Sequence, residues 1–283
     1  MKSVVITGVS TGIGWGATKV LIGKGFRVFG SVRKEADGER LKKEFGANFV
    51  PLLFDVTDEP AIKRAAEEVR AALNGEKLFG LVNNAGIAVS GPLLDLNVDD
   101  FRQQMEVNVT GPFLVTQSFA PLLGADRSLK GEPGRIVNIS SVGGKQAAPF
   151  VGPYSASKYA LEGMSESLRR ELLLFGIDVI IIGPGAVKTE IWNKAEEVDI
   201  TPFANSAYYP SLVKFRDYFL ASGKQGLAPE KLGRVIYTAL TTANPKVRYA
   251  VLRGRLQNWT IPQLLPKRFL DRTIGKAVGL IEK

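Results

Sequence analysis

Along this chain, short apolar runs rich in β-branched residues alternate with longer segments whose apolar positions recur at helical spacing. Strands are expected over 3–7, 27–31, 49–54, 78–82, 135–139 and 177–182. Between the first two, Ile13, Ala17, Val20 and Leu21 form one apolar stripe, and Gly23 and Gly25 supply the stop. Further helices are expected over 59–73, 98–122 and 153–174. The strands read as continuous apolar runs, as strands covered on both faces do. The expected architecture is therefore α/β: a doubly wound parallel sheet with helices on both faces, whose ligands bind beyond the C-terminal strand ends. There is no internal repeat and no linker long enough to divide the chain. The Gly/Pro-punctuated stretch 124–134 reads as a surface loop, so residues 1–283 are expected to form a single domain with a core of 1–190.

Composition narrows the chemistry by what is missing. Among 283 residues there is no Cys and no His. That excludes disulfides, thiolate nucleophiles, histidine bases and imidazole or thiolate metal sites, and no metal is expected. Acid–base work near neutral pH falls to Tyr, Lys, Asp or Glu. The net charge of +9 is not spread evenly: residues 224–283 carry 12 Lys and Arg against three Asp and Glu, and the rest of the chain balances. With no signal-peptide pattern in MKSVVITG and no apolar stretch of membrane-spanning length, a cytoplasmic location is expected.

Candidate chemistry lies at the ends of the expected strands. The first runs into Thr7-Gly8-Val9-Ser10-Thr11-Gly12-Ile13-Gly14 and then directly into a helix. Glycines there allow a tight turn and let a pyrophosphate approach backbone N–H groups at the positive helix end. Tyr154 and Lys158 stand one helical turn apart, so both leave the same helix face, and an ammonium beside a phenol favours the phenolate.

The ordered set is more specific than its parts. Thr-Gly-x-x-x-Gly-Ile-Gly at 7–14, Asp55, Asn83-Asn84-Ala85-Gly86, Asn108, Asn138-Ile139-Ser140-Ser141, Tyr154-x-x-x-Lys158, and Pro184-Gly185 with Thr189 together resemble the short-chain dehydrogenase/reductase family, over about residues 3–190. The C-terminal part is similar to the extended ends of steroid- and retinol-dehydrogenase-like members. The resemblance implies a Rossmann-like sheet of about seven strands and oxidoreduction between an alcohol and a carbonyl. Gly8, Ser10, Thr11, Gly12, Ile13 and Gly14 would hold the pyrophosphate end of the cofactor, and Asp55 and Val56 would contact adenine. Asn83, Ala85 and Gly86 would line its cleft. Pro184, Gly185, Val187 and Thr189 would seat the nicotinamide. Ser141, with Ser140 as the alternative, would hydrogen-bond the substrate oxygen. Tyr154 would be the general acid or base, Lys158 would hold the ribose and lower the phenol pKa, and Asn108 would position a proton-relaying water. A homo-oligomer, dimer or tetramer, is implied as well.

The expected cofactor follows from charge at the end of the second strand. There the chain reads Val32-Arg33-Lys34 before its first acid, Glu35. Arg33, with Lys34, suits the 2′-phosphate of NADP(H); NAD(H) stays open if Glu35 or Asp37 takes the ribose. Residues 190–220 hold seven aromatics, Trp192, Phe203, Tyr208, Tyr209, Phe215, Tyr218 and Phe219, which read as a lipophilic pocket or lid over about 190–225, or else as core or oligomer packing. Phe150 and the 89–93 stretch are expected to border the same cleft. The substrate is then a lipophilic ketone or alcohol of steroid, retinoid or long-chain type. In the basic extension 244–283, Phe269, Leu270, Ile274, Ala277, Val278 and Ile281 form one stripe. Lys267, Arg268, Arg272 and Lys276 lie off it, as in a helix that covers the pocket, joins an interface or lies on an anionic membrane. No nucleic-acid motif is present. Two other readings stay open: a cofactor-binding sensor or scaffold, and a different enzyme on this fold such as an epimerase or dehydratase.

Overall fold

The computed structural model describes residues 1–281. Seven strands, β1 Ser3–Ile6, β2 Arg27–Val32, β3 Phe49–Leu53, β4 Gly80–Asn83, β5 Arg135–Ile139, β6 Asp178–Pro184 and β7 Arg248–Val251, form one sheet in the order β3-β2-β1-β4-β5-β6-β7. Every neighbouring pair is parallel. The strand order reverses between β1 and β4, which opens a crevice at their C-terminal ends.

Eleven α-helices are found among the described residues: α1 Gly12–Gly23, α2 Glu35–Phe45, α3 Glu59–Leu73, α4 Val98–Met105, α5 Gly111–Ala120, α6 Gly152–Glu171, α7 Glu190–Glu197, α8 Tyr209–Lys224, α9 Pro229–Thr241, α10 Ile261–Leu264 and α11 Lys267–Val278. One apolar layer, including Val4, Ile6, Leu21, Val28 and Ile236, packs α1 and α9 on one sheet face. Another, including Val5, Phe29, Ile62, Leu81, Val115 and Phe119, packs α3 and α5 on the other. Val4 and Val5 are both fully buried on opposite faces, which is why β1 reads as an unbroken apolar run. Burying each such side chain contributes about 1.5–3 kcal/mol.

Local signals explain most boundaries. Asp58 caps α3 by accepting from Ala61 N at 3.0 Å, and Asn74 ends it in the left-handed conformation. α2 escaped the periodicity reading because only Gly38 and Leu41 are buried along it. The helix expected over 98–122 is interrupted by π-turns at Glu106–Thr110 and Pro121–Ala125. Pro112 and Pro121 lack the N–H that a continuous helix requires, so the ladder widens around them. Pro112 removes the donor that a regular helix would offer to the carbonyl of Asn108.

A smaller apolar cluster lies outside both layers. Phe150, Val151, Leu212, Phe215 and Val278 are buried together, with Phe203, Tyr208 and Phe219 packed against them. Here α11 sits on α8, and Ser211 Oγ donates to the Gly279 carbonyl at 2.9 Å. Within the expected stripe of the extension, Val278 points inward while Phe269 is 57% exposed. The last two residues of that extension lie outside the described range.

Candidate active site

The chain ends of β1, β4, β5 and β6 border a cleft of about 700 Å³. Its floor is built first from backbone. Gly8 has φ +69°, and a Cβ there would fall 3.0 Å from the Cα of Ala85, so the turn after β1 accepts only glycine without strain. Thr7 Oγ1 accepts from the amides of Asn84 at 2.9 Å and Ala85 at 3.0 Å, tying the β1 and β4 loops together. Gly8 N donates to Ser31 Oγ at 2.9 Å and so fixes the turn to β2.

Of the residues expected at the cofactor, Gly8, Ser10, Thr11, Gly12, Ile13, Arg33, Asp55, Val56, Ala85, Gly86, Pro184, Gly185, Val187 and Thr189 line this cleft, with Tyr154 and Lys158. Three others are absent from its lining. Gly14 packs against the turn, where a Cβ would lie 2.2 Å from the Gly8 carbonyl oxygen. Asn83 is buried below the wall, with Nδ2 donating to Asn138 Oδ1 at 2.8 Å and Thr116 Oγ1 at 3.0 Å. Lys34 is the exposed residue before α2 and is absent from the lining. Arg33 lies at the cleft rim, 3.7 Å from the Asp55 carboxylate and 69% exposed. Asp37 is turned to Arg40, at 3.2 Å.

The other half of the cleft holds Ser141, Tyr154 and Lys158. Ser141 is buried just past β5; its Oγ accepts from Gly143 N at 3.0 Å and hydrogen-bonds the Tyr154 phenol. Burial pushes the Tyr154 phenol above its ordinary pKa, and the Ser141 hydrogen bond works in the opposite direction. Lys158 is 5% exposed and donates from Nζ to the Ile139 carbonyl at 2.9 Å. Burial draws its pKa down from 10.5 to about 8, against the attraction of Glu162, which acts to raise it. Asn108 does not reach the cleft. Its amide is engaged by Ile87, accepting from N at 2.9 Å and donating to O at 3.0 Å, and it also donates to Ser157 Oγ at 3.1 Å. It thereby braces the Gly86–Ile87 wall.

The aromatic segment divides. Trp192, Tyr218 and Phe219 line the cleft beside Ala148 and Val151. Phe203, Tyr208 and Phe215 belong instead to the small cluster around Phe150, so Phe150 is a core residue rather than a cleft residue. In the 89–93 stretch, Leu93 is 61% exposed and outside the lining. Sequence reading missed Gln146, whose Nε2 is buried on the cleft wall without a hydrogen-bond partner, and the buried Glu162–Arg248 pair. A glutamate one helical turn after Lys158 was the available signal for the second; nothing local marks Gln146.

The cleft fits a dinucleotide. Its turn has no room for side chains at Gly8 and Gly14, a cation stands at its rim, and the buried hydroxyls of Ser140 and Ser155 lie in the lining with no protein partner. Comparison with known proteins agrees. The short chain dehydrogenase family model matches residues 2–199. The chain therefore belongs to the short-chain dehydrogenase family and is an oxidoreductase acting on alcohol and carbonyl groups. It is 38% identical over 276 residues to an NADPH-dependent 3-dehydrocapnine reductase of Ornithobacterium rhinotracheale, covering 98% of this chain and 97% of that one. It is 34% identical to human retinol dehydrogenase 5 over 284 residues, 96% of this chain and 87% of that protein. A short-chain dehydrogenase structure from Streptomyces avermitilis superposes with TM-score 0.77 at 26% identity, covering 100% of this chain and 98% of that one.

Among the described residues no helix is long and apolar enough to cross a membrane.

Proposed function

We propose that this protein is an NADP(H)-dependent reductase of lipophilic, long-chain ketones, with Tyr154 as the proton donor. The observation that carries the reading is a single cleft that joins the Tyr154, Ser141 and Lys158 side chains to an aromatic wall of Trp192, Tyr218 and Phe219. The cofactor choice is supported by Arg33 at the end of β2, where a 2′-phosphate would be met, and by the similar protein named as NADPH-dependent. The Arg33–Asp55 contact is long and exposed, so Asp55 competes weakly for that guanidinium.

When bound, the reduced nicotinamide supplies a hydride to the carbonyl carbon. The chain's own groups handle the charge that develops on the oxygen. Ser141 Oγ donates a hydrogen bond to the carbonyl oxygen, and the Tyr154 phenol delivers the proton that completes the alcohol. The phenolate left on Tyr154 forms beside the Lys158 ammonium, which stabilises it until solvent returns the proton. Lys158 also offers N–H donors to the ribose. Asn108 holds the cleft wall through Ile87. The aromatic side chains exclude water around the reacting carbon and bind the alkyl part of the substrate. Gln146 Nε2 offers a hydrogen bond to an oxygen of the substrate other than the reacting one.

The deciding experiment compares NADPH and NADH oxidation with long-chain and short-chain ketones, in wild type and Tyr154→Phe. We expect NADPH turnover favouring long chains, reduced about 10²–10⁴-fold in the variant with nucleotide binding intact. Undiminished turnover in Tyr154→Phe would remove Tyr154 from the acid role, and nucleotide binding without turnover of any ketone or alcohol would favour a sensor.

The extension supports a peripheral lipid contact in the same reading. Leu256, Ile261, Leu264 and Phe269 are exposed among Arg253, Arg255, Lys267 and Arg268. Co-sedimentation with phosphatidylglycerol vesicles but not phosphatidylcholine vesicles is the expected result. Sedimentation velocity is expected to give a dimer or tetramer.

A further inference from the structure

Beneath the catalytic serine lies a charged group that the chemistry above leaves unused. Glu162 on α6 is 4% exposed, and both of its carboxylate oxygens accept from Arg248 Nε at 3.0 Å. Lys145 Nζ approaches the same carboxylate at 3.6 Å. The guanidinium continues past Glu162: its Nη2 donates to the backbone carbonyl of Ser141 at 3.1 Å. The Trp259 ring covers it, with the guanidinium carbon 4.5 Å from the ring centre. Thus the last strand, the Tyr–Lys helix and the C-terminal extension meet at the peptide that carries the Ser141 hydroxyl.

The surrounding backbone is cut to admit this pair. On β6, a Cβ at Gly183 would lie 2.4 Å from Arg248 Nη2. At Gly144 it would lie 3.1 Å from Glu162 Cγ. A buried ion pair is a poor source of net stability, because the desolvation of both charges offsets their attraction. Geometry is what it supplies: a charge-assisted hydrogen bond from a side chain with few free rotamers fixes the acceptor it reaches.

We propose that Glu162 and Arg248 are positioning residues that hold Ser141 through its carbonyl and set the charge environment of Lys158, with Trp259 clamping the pair. This rests on the reductase reading. The Ser141 peptide orients the hydroxyl that must meet the substrate oxygen, so a shift of an ångström there would be felt in turnover rather than in nucleotide binding. Glu162 stands one turn from Lys158 on the same helix and opposes the downward pull of burial on its pKa. The charged groups that face this spot are Lys145 from the loop after β5 and Arg248 from β7; Tyr154 and Lys158 share α6 with Glu162.

The test uses the full chain and reads the molecule both with and without substrate. In Arg248→Lys, the ¹³C carbonyl resonance of Ser141 should move, and kcat for dodecan-3-one with NADPH should fall about 10–100-fold while KM for NADPH stays within about threefold. In Glu162→Gln, the ¹⁵Nζ titration midpoint of Lys158 should drop by roughly one pH unit, because a neighbouring opposite charge is gone. Gly183→Ala displaces the guanidinium without touching a reacting group and should lower kcat as Arg248→Lys does. Trp259→Ala, at a half-buried ring outside the cleft lining, should do so more weakly. The last two variants decide the matter if the buried charge substitutions fail to fold. A Ser141 carbonyl unmoved in folded variants overturns the proposal, as does a moved carbonyl with wild-type kcat. Absence of dodecan-3-one turnover in the wild type would count against the reductase reading alone, since the Ser141 shift and the Lys158 titration still decide the strut.

Discussion

The Lys158 ammonium lies 5.7 Å from the centre of the Tyr154 ring while donating a 2.9 Å hydrogen bond to the Ile139 carbonyl. One turn of α6 sets their spacing, and the end of β5 sets the direction in which the amine points. The pair is therefore placed by two different elements.

Its pH dependence follows from burial. Lys158 is a cation below about 8 and neutral above it. Activity that needs the ammonium is expected to decline as pH rises through about 8, and a pH profile of kcat checks this. Stability runs the other way. The folded pKa is depressed below the unfolded 10.5, so the unfolded chain binds more protons between about 8 and 10.5 and stability rises with pH across that window. At pH 7 the buried ammonium costs up to about 3 kcal/mol. Lys158→Met is expected to lose activity yet melt several degrees higher at pH 7, by about 2–4 °C per kcal/mol; a calorimetric scan with no rise would contradict the burial argument.

Arg33 is expected to decide between the two nicotinamide cofactors. Replacement by Ser is expected to raise the KM for NADPH about 10–100-fold, the loss of one or two charge-assisted hydrogen bonds, and to leave NADH little changed. Equal effects on both nucleotides would place the guanidinium away from the 2′-phosphate.

Asn83 is expected to act on stability rather than on cofactor affinity. Its amide donates to Asn138 and Thr116, and Asn138 donates onward to Ser165 Oγ at 2.8 Å, all in the buried interior. Asn83→Ala should destabilise the fold by about 1–3 kcal/mol, since two buried acceptors lose their donor. Urea denaturation measures that, and NADPH titration of the variant at low temperature should give near wild-type affinity.

The aromatic wall should discriminate by chain length. Trp192 and Phe219 pack as a tilted pair with ring centroids 4.7 Å apart in the cleft lining. Phe219→Ala is expected to reduce kcat/KM for a long-chain ketone by roughly tenfold or more, consistent with one lost apolar contact surface, and to leave acetone-sized substrates unaffected. A uniform loss across chain lengths would indicate structural damage instead.

Much of this molecule was legible along the chain because its strands are covered on both faces. Six buried runs, the glycine turn after β1 and the one-turn spacing of Tyr154 and Lys158 are local properties, and local properties survive in a linear reading. The same holds for Arg33, whose place at the end of β2 follows from strand length alone. Other features required the fold. β7 is a four-residue strand with no fully buried position, so its sequence gave no strand signal. Only its pairing with β6 brings Arg248 to Glu162 and to the Ser141 carbonyl, from 107 residues away. The resemblance gives Asn108 a water-positioning role, and only the fold shows that its side-chain amide, within a π-turn, is held by Ile87. The aromatic segment reads as one pocket, yet Phe215 is buried in the cluster beneath α11, and Phe219, one turn further along the same face of α8 and stacked on Phe215, is the one that also reaches the cleft lining. Composition and spacing thus determined the sheet, the glycine turn after β1 and the pairing of Tyr154 with Lys158. Which distant charges meet beneath Ser141, and which aromatics line the cleft, depended on tertiary packing that brings together residues far apart in the chain.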